Sequence, residues 1–202
     1  MRAFVRDRLR LHRERGATML EFALVLPLLV LLVFGTAEAG LGWTENNRVE
    51  GAASTAARVG AAAGQDATAD EQILIALKAS LTPESLANLD RVIIFKPANA
   101  DGGLPASCNK PTGSTSQVGV NGSCNSYSGA GVRAVTSDTA TTDLGSNDDY
   151  WRGELRNDSL ADPPDYLGVY VRTRHDSKTG VGFGTYTITR TSIYRLQPDI
   201  DG

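Results

Sequence analysis

The sequence is poor in the residues that build metal and redox sites. Its 202 residues include only two cysteines, two histidines and two methionines. The two histidines, His12 and His175, are remote from each other in sequence. Structural and catalytic zinc sites need three or four Cys, His or carboxylate ligands held together. We therefore predict no bound metal and no cofactor.

The strings that mark common catalytic sites are also missing. No glycine-rich loop is followed by Lys-Ser/Thr, and no Gly-x-Ser-x-Gly occurs. His175 beside Asp176 lacks a nearby nucleophile, so we read it as an exposed turn histidine. Asp143, Asp148 and Asp149 do not have the spacing of a calcium-binding EF-hand loop, which indicates solvated acids. We predict that the protein is not an enzyme.

Positive charge is scarce outside the amino-terminal end. The first 16 residues carry a net +4, which leaves −7 for the rest of a chain whose total is −3. A nucleic-acid-binding face needs clustered lysine and arginine. The balance of charge therefore argues against a nucleic-acid partner.

What the sequence does contain is one long apolar run. No charged residue occurs from Phe22 to Ala37, and residues 17–41 hold only two, Glu21 and Glu38. At about 1.5 Å per residue, roughly 20 helical residues cross the hydrocarbon core of a bilayer. A helix also satisfies its own backbone hydrogen bonds, as lipid requires. We predict a transmembrane helix over 17–41 and expect the lipid bilayer as a partner.

The residues before this run orient it. Six arginines against two acids make residues 1–16 a basic leader; they are Arg2, Arg6, Arg8, Arg10, Arg13 and Arg15. Positive charge beside a membrane span stays in the cytoplasm. We predict a single-pass protein of the cell membrane with a cytoplasmic leader and an extracytoplasmic domain over 42–202.

Two residues do not suit a plain anchor. Glu21 lies inside the apolar run, where a carboxylate costs about 2.5 kcal/mol or more at depth. Pro27 removes one backbone hydrogen bond and favours a helix kink. Glu21 either reaches back to the head groups or pairs with a cation of a neighbouring subunit, and the sequence leaves both open.

The order of basic leader, Gly16, Glu21 and apolar helix resembles the cleavage region of type IV prepilins. In that superfamily a membrane peptidase cuts after the glycine, and the glutamate is thought to pair with the freed amine of an adjacent subunit. The resemblance implies that Gly16 precedes the cut and Ala17 becomes the new amino terminus. It also implies that Glu21 supplies the carboxylate for pairing between subunits.

The fuller pattern, residues 16–27 followed by 34–40, is similar to the TadE/TadG-like pilus assembly family of tight-adherence (Flp) systems. Residues 165–175 and 187–198 resemble the carboxyl-terminal part of actinobacterial members. The resemblance implies a minor pseudopilin that takes part in assembling a type IV pilus. Its partners would be a prepilin peptidase and other pilins or pseudopilins, and whether it enters the filament is open.

Two alternatives remain at this stage. Ala37-Glu38-Ala39 fits the small-x-small pattern of ordinary signal peptidase, whose cut would release a soluble domain beginning near Gly40. The chain could also be an anchored binding or adhesion module that joins no filament. In that case the loops 98–127 and 136–149 would recognise the partner.

The remaining pattern predicts an α+β, pilin-like fold. Alanine-rich sequence continues the membrane helix to Gly64, giving a rod of about 45 residues and ~70 Å. A second helix is expected over 70–80, and a short turn of helix after the cap Thr82 and Pro83. Short strands are predicted at 91–96 and 131–135, and a hairpin is predicted from 166–174 and 184–196. These strands form a three- or four-stranded antiparallel sheet laid on the helix.

Cys108 and Cys124 lie 16 residues apart in a segment rich in glycine, serine and asparagine. An even number of cysteines outside the membrane favours a disulfide. We therefore predict a Cys108–Cys124 bridge that restrains the long loop.

Overall fold

The computed structural model describes residues 2–109, 119–136, 149–159, 162–180 and 184–198, with side chains from Thr18 onward. The chain divides into two compact units. The first contains Met1–Gly42 and Ser177–Gly184. The second contains Trp43–Asp176 and Thr185–Gly202.

Helix α1 runs without interruption over Arg2–Ala63, and Pro27 lies inside it. The prediction that the apolar helix continues through the alanine-rich segment is confirmed. The helix ends at Ala63, and Gly64 follows it with a φ of +55°, a conformation that other residues adopt only with strain. A Cβ at this position would also lie 2.6 Å from the Asp158 carboxylate.

Three shorter helices follow: α2 (Ala69–Ser80), α3 (Pro83–Ala87) and α4 (Gly129–Ala134). The predicted cap of α3 is confirmed, because the Thr82 hydroxyl accepts a hydrogen bond from the Ser85 amide at 3.1 Å. Pro83 occupies the first helical turn, where its missing N–H is not needed.

Four antiparallel strands form one sheet: β1 (Leu89–Phe95), β2 (Cys124–Ser128), β3 (Tyr166–His175) and β4 (Tyr186–Arg195). Their order is β2-β1-β3-β4. Strands β3 and β4 pair along their whole length, from Tyr166 opposite Arg195 to His175 opposite Tyr186. The predicted α+β fold with its carboxyl-terminal hairpin is confirmed.

One strand prediction is wrong. Residues 131–135 are not a strand, because most of them belong to α4, which begins where the Ser128 hydroxyl accepts from the Gly131 amide at 3.1 Å. The fourth strand is β2, which lies at the end of the predicted loop 98–127. Its sequence, Cys-Asn-Ser-Tyr-Ser, has little strand propensity, and its pairing with β1 decides its conformation.

The core lies where the second half of α1 packs on one face of the sheet. The helix contributes small residues at helical spacing, each no more than 1% exposed: Val49, Ala52, Ala53, Ala56 and Ala57. The sheet contributes alternate residues of β3, which are Leu167, Val169 and Val171. The short side chains leave little space between helix and sheet, because a Cβ at Gly60 would lie 3.1 Å from the Leu167 side chain.

The opposite face of the sheet is covered by the disulfide segment. Ile93 and Phe95 alternate along β1 with the core residues Val92 and Ile94, so they point the other way. There they form a second buried cluster with the two cysteines. The sheet therefore has apolar contacts on both faces.

Candidate membrane anchor and assembly site

The first part of α1 exposes an unusual amount of apolar surface. Within the part of the chain that the structure describes, one helix is long and apolar enough to cross a membrane, and its most apolar window is not buried at all. Thirteen large apolar side chains between Met19 and Phe34 are 42–75% exposed. Soluble proteins rarely expose so large a contiguous patch. This single apolar amino-terminal helix is the feature that a membrane anchor requires.

The structure places the residues of the predicted processing site on one continuous helix. Gly16 and Ala17 lie within α1 as backbone. Glu21 lies one turn further along, exposed, and forms no hydrogen bond or ion pair with the described part of the chain. Pro27 follows inside the same helix. Three statements stay predictions: the cut between Gly16 and Ala17, the pairing of Glu21 with another subunit, and a helix kink at Pro27.

Glu38, at the far end of the apolar run, is the residue that sequence reasoning left without a role. It is only 3% exposed. Its carboxylate accepts hydrogen bonds from the Lys178 amide at 3.1 and 3.2 Å and from the Thr179 amide at 3.1 Å. The Thr179 hydroxyl donates a further bond at 2.9 Å. All of these groups belong to the first compact unit.

These contacts form an anion-binding turn. Two successive backbone N–H groups and a hydroxyl converge on one carboxylate, which gives its oxygens hydrogen-bond donors. Gly180, next in the chain, has a φ of +66°, which the turn obtains from glycine. No sequence signal identifies this site, because Glu38 and its donors are 140 and 141 residues apart.

The second half of α1 forms polar contacts with other residues of the second compact unit. Glu45 accepts from the hydroxyl of the buried Ser85 at 2.5 Å, at the start of α3. Ser54 and the Tyr194 hydroxyl lie 3.0 Å apart. These contacts fix the rotation of the helix about its axis, so that its small residues over 49–57 face the core.

A buried polar network joins α2 to the sheet. Asp70 is 5% exposed and forms a buried ion pair with Arg156, which is 1% exposed. Its other oxygen accepts from the Asn125 amide at 2.7 Å and from the Tyr127 hydroxyl at 2.6 Å. The Arg156 guanidinium lies 4.5 Å from the centre of the Trp151 ring. Both carboxylate oxygens of Asp70 are thus engaged, which indicates a structural role.

The network also covers the edge of β2. The Asn125 side chain donates to the Trp151 carbonyl at 2.9 Å and accepts from the Trp151 amide at 2.8 Å. The Asn125 side-chain amide thus forms the same pair of hydrogen bonds with the Trp151 backbone that a residue of a neighbouring strand would form. Sequence reasoning gave no signal for Asn125.

Cys108 and Cys124 form the predicted disulfide, with Cα atoms 6.3 Å apart. Both are buried, and they contact the cluster on the second face of the sheet. The bridge therefore fastens the segment before Cys108 to the first residue of β2.

The other candidate residues of the sequence have ordinary surroundings. Asp149 pairs with the exposed Arg152, while Asp143 and Asp148 lie outside the described residues. Among the described side chains no group of three or more potential ligands is placed to hold a metal ion. The expectation of an exposed histidine at 175 is wrong. His175 is 5% exposed and its ring centre lies 4.9 Å from that of Tyr186, because β3 extends to this residue and turns it inward.

These features define an α+β protein class with one long apolar amino-terminal helix. Residues 16–58 match the family described as TadE-like protein. The match confirms the likeness to the TadE/TadG-like pilus assembly family over the segment that contains Gly16, Glu21 and Glu38, and it associates the chain with tight-adherence pilus systems. No curated protein and no solved structure matches the chain.

Proposed function

We propose that the protein is a membrane-anchored minor pseudopilin that takes part in assembling a tight-adherence (Flp-type) pilus. The observation that carries the proposal is the coincidence of two independent features. The segment that matches the TadE-like family is also the segment whose apolar side chains lie exposed on α1. An uncovered apolar helix needs either lipid or other helices around it, and a pilus system supplies both.

In this proposal residues 1–16 are a cytoplasmic leader, 17–41 cross the membrane, and 42–202 form the extracytoplasmic domain. A prepilin peptidase removes the leader by cutting between Gly16 and Ala17. The six arginines of the leader set the orientation before the cut. After the cut, the mature chain begins with an ammonium group at the edge of the bilayer.

Glu21 then pairs with the new amino terminus of an adjacent pilin or pseudopilin. Glu21 has no hydrogen bond or ion pair within the described part of its own chain, and its helix is uncovered on all sides there. A lone carboxylate is costly inside a membrane. An ammonium from a second subunit at the same depth offsets that cost only when the two subunits lie side by side.

The role is structural and not enzymatic. Asp70 and Arg156 form a buried ion pair whose atoms also bond to Asn125, Tyr127 and Trp151. Such an arrangement stabilises a fold, because every charge in it has a partner. The pilus family supports the same reading.

The experiment compares Glu21→Ala with Glu50→Ala in the native host. Both variants remove an exposed glutamate from α1, but Glu50 lies beyond the proposed span, 3.5 Å from Arg190. We expect both proteins to insert in the membrane and only Glu21→Ala to lose co-purification with other pilins. Normal piliation and co-purification in Glu21→Ala would remove the pairing role.

A second variant separates the pseudopilin from a simple anchored binding module. Gly16→Leu blocks a peptidase that requires glycine before the cut but leaves the anchor intact. We expect an uncleaved protein and a loss of pili. Full function of the uncleaved protein would favour the binding module.

A further inference from the structure

We propose that the turn between β3 and β4, residues 177–180, contacts the phosphate head groups of the bilayer and is held at that depth by Glu38. The proposal rests on the membrane insertion put forward above. It assigns the turn as a second membrane contact, formed by a part of the chain far in sequence from the anchor.

The position of Glu38 along α1 sets its depth. Large exposed apolar side chains begin at Met19. A span of roughly 20 residues from there, about 30 Å of helix, ends at Glu38. Trp43, which is 71% exposed, follows five residues later in the same helix. Tryptophan favours the boundary between hydrocarbon and water. Glu38 therefore falls at the outer edge of the hydrocarbon core.

A carboxylate at that edge needs hydrogen-bond donors that lipid tails do not supply. The structure gives it the amides of Lys178 and Thr179 and the Thr179 hydroxyl, all within 3.2 Å. Because these bonds are direct, the backbone of the turn lies at the same depth as the carboxylate. While these hydrogen bonds to Glu38 are formed, the turn must lie at the membrane surface.

The side chains of the turn suit a head-group layer. Lys178 is exposed, as is Gly180, and Ser177 and Thr179 are partly buried. A lysine on a four-carbon stem reaches phosphate oxygens from the interface, and small hydroxyl residues are tolerated there. Lys178 gives the turn one positive charge, the sign that phosphate head groups attract.

The test places a fluorescent label on Lys178→Cys in the full-length chain. The native cysteines are bonded to each other, so the new thiol is the only one that reacts. The protein is reconstituted in vesicles of phosphatidylcholine and phosphatidylglycerol. Three quenchers are compared: lipid spin-labelled at the head group, lipid spin-labelled deep in the acyl chain, and aqueous iodide.

We expect the head-group spin label to be the strongest quencher. A label that iodide quenches as freely as the same dye on a small soluble thiol, and that the head-group spin label does not quench, would overturn the proposal. Resistance of the same vesicles to carbonate extraction reports insertion of α1 separately. An inserted chain with a fully aqueous label refutes the turn contact alone, whereas an extracted chain refutes both proposals.

A matched pair of glutamate variants tests the role of Glu38. Glu38→Ala removes the acceptor, so head-group quenching at position 178 should fall and iodide quenching should rise. Glu45→Ala removes the same charge from the same helix, but its bond goes to Ser85, so the label should not move. Glu38→Gln keeps an acceptor of the same shape and should retain part of the quenching. Equal quenching in all variants would remove Glu38 from the proposal.

Discussion

Replacing Asp70 by asparagine should strongly destabilise the exterior domain, because Asp70 is the acceptor at the centre of its buried polar network. The substitution keeps the size of the side chain but removes its charge. Arg156, which is 1% exposed, would then be left as a buried cation without its carboxylate. The new amide would also face the donor groups of Asn125 and Tyr127.

The magnitude follows from the cost of breaking a buried ion pair on one side, about 3–5 kcal/mol. The compact unit that contains the network has about 150 residues. For a domain of that size each kcal/mol changes the melting temperature by about 2–4 °C, so the expected loss is about 6–20 °C. Removing both charges with Asp70→Asn and Arg156→Met should cost less than the sum of the single changes, because no charge is then left unpaired.

The assay is thermal unfolding of the full-length chain in detergent micelles, followed by near-ultraviolet circular dichroism, which reports the packing of the buried Trp151. Asp149→Asn is the matched control, because Asp149 also pairs with an arginine of the same segment. Both partners of that pair are about half exposed, so its loss should cost less than about 1 kcal/mol. Equal melting temperatures for Asp70→Asn and Asp149→Asn would refute the reasoning.

Three further predictions concern the same domain. Cys108→Ser should lower the free energy of unfolding by about 3 kcal/mol, and a reductant should bring the wild type down to the same melting temperature; a variant as stable as the oxidised wild type would contradict this. Gly168→Ala should lower the melting temperature, because the new Cβ would meet the Phe95 ring at 2.4 Å, and an unchanged value would show that the ring moves freely. Hydrogen bonds from the amide and then the hydroxyl of Thr68 hold the pKa of Asp66 below its ordinary value of 3.8. Because the pKa of Asp66 is lower in the folded state, Asp66 stabilises the fold above pH 3.8, and this stabilisation disappears as the pH falls from 3.8 through the lowered pKa. The difference in melting temperature between wild type and Asp66→Asn should vanish over that pH range. A difference independent of pH would contradict the assignment.

The parts of the fold that sequence reasoning predicted depend on local signals. Alanine-rich sequence continues α1 to Ala63. Thr82 caps α3, and Pro83 is its first residue. Alternating β-branched residues predict the hairpin of β3 and β4. In each case the neighbouring residues contain the information. Long, periodic segments of this kind are the ones that a single sequence specifies well.

The parts that sequence reasoning missed depend on contacts between distant residues. Strand β2 is polar and forms because β1 pairs with it, while the Asn125 amide closes its other edge on Trp151. Tertiary pairing here outweighs strand propensity. The bonds from the β3–β4 turn to Glu38 join residues 140 apart, so no local pattern could reveal them.

The central claim, that the chain is a processed pseudopilin anchored by α1, is tested most directly by the mass of the mature amino terminus. Protein isolated from membranes of the native host would be digested and its first peptide identified by mass spectrometry. The account predicts a chain that begins at Ala17. A chain that begins at Gly40, or one that retains Met1 while pili form normally, would contradict it.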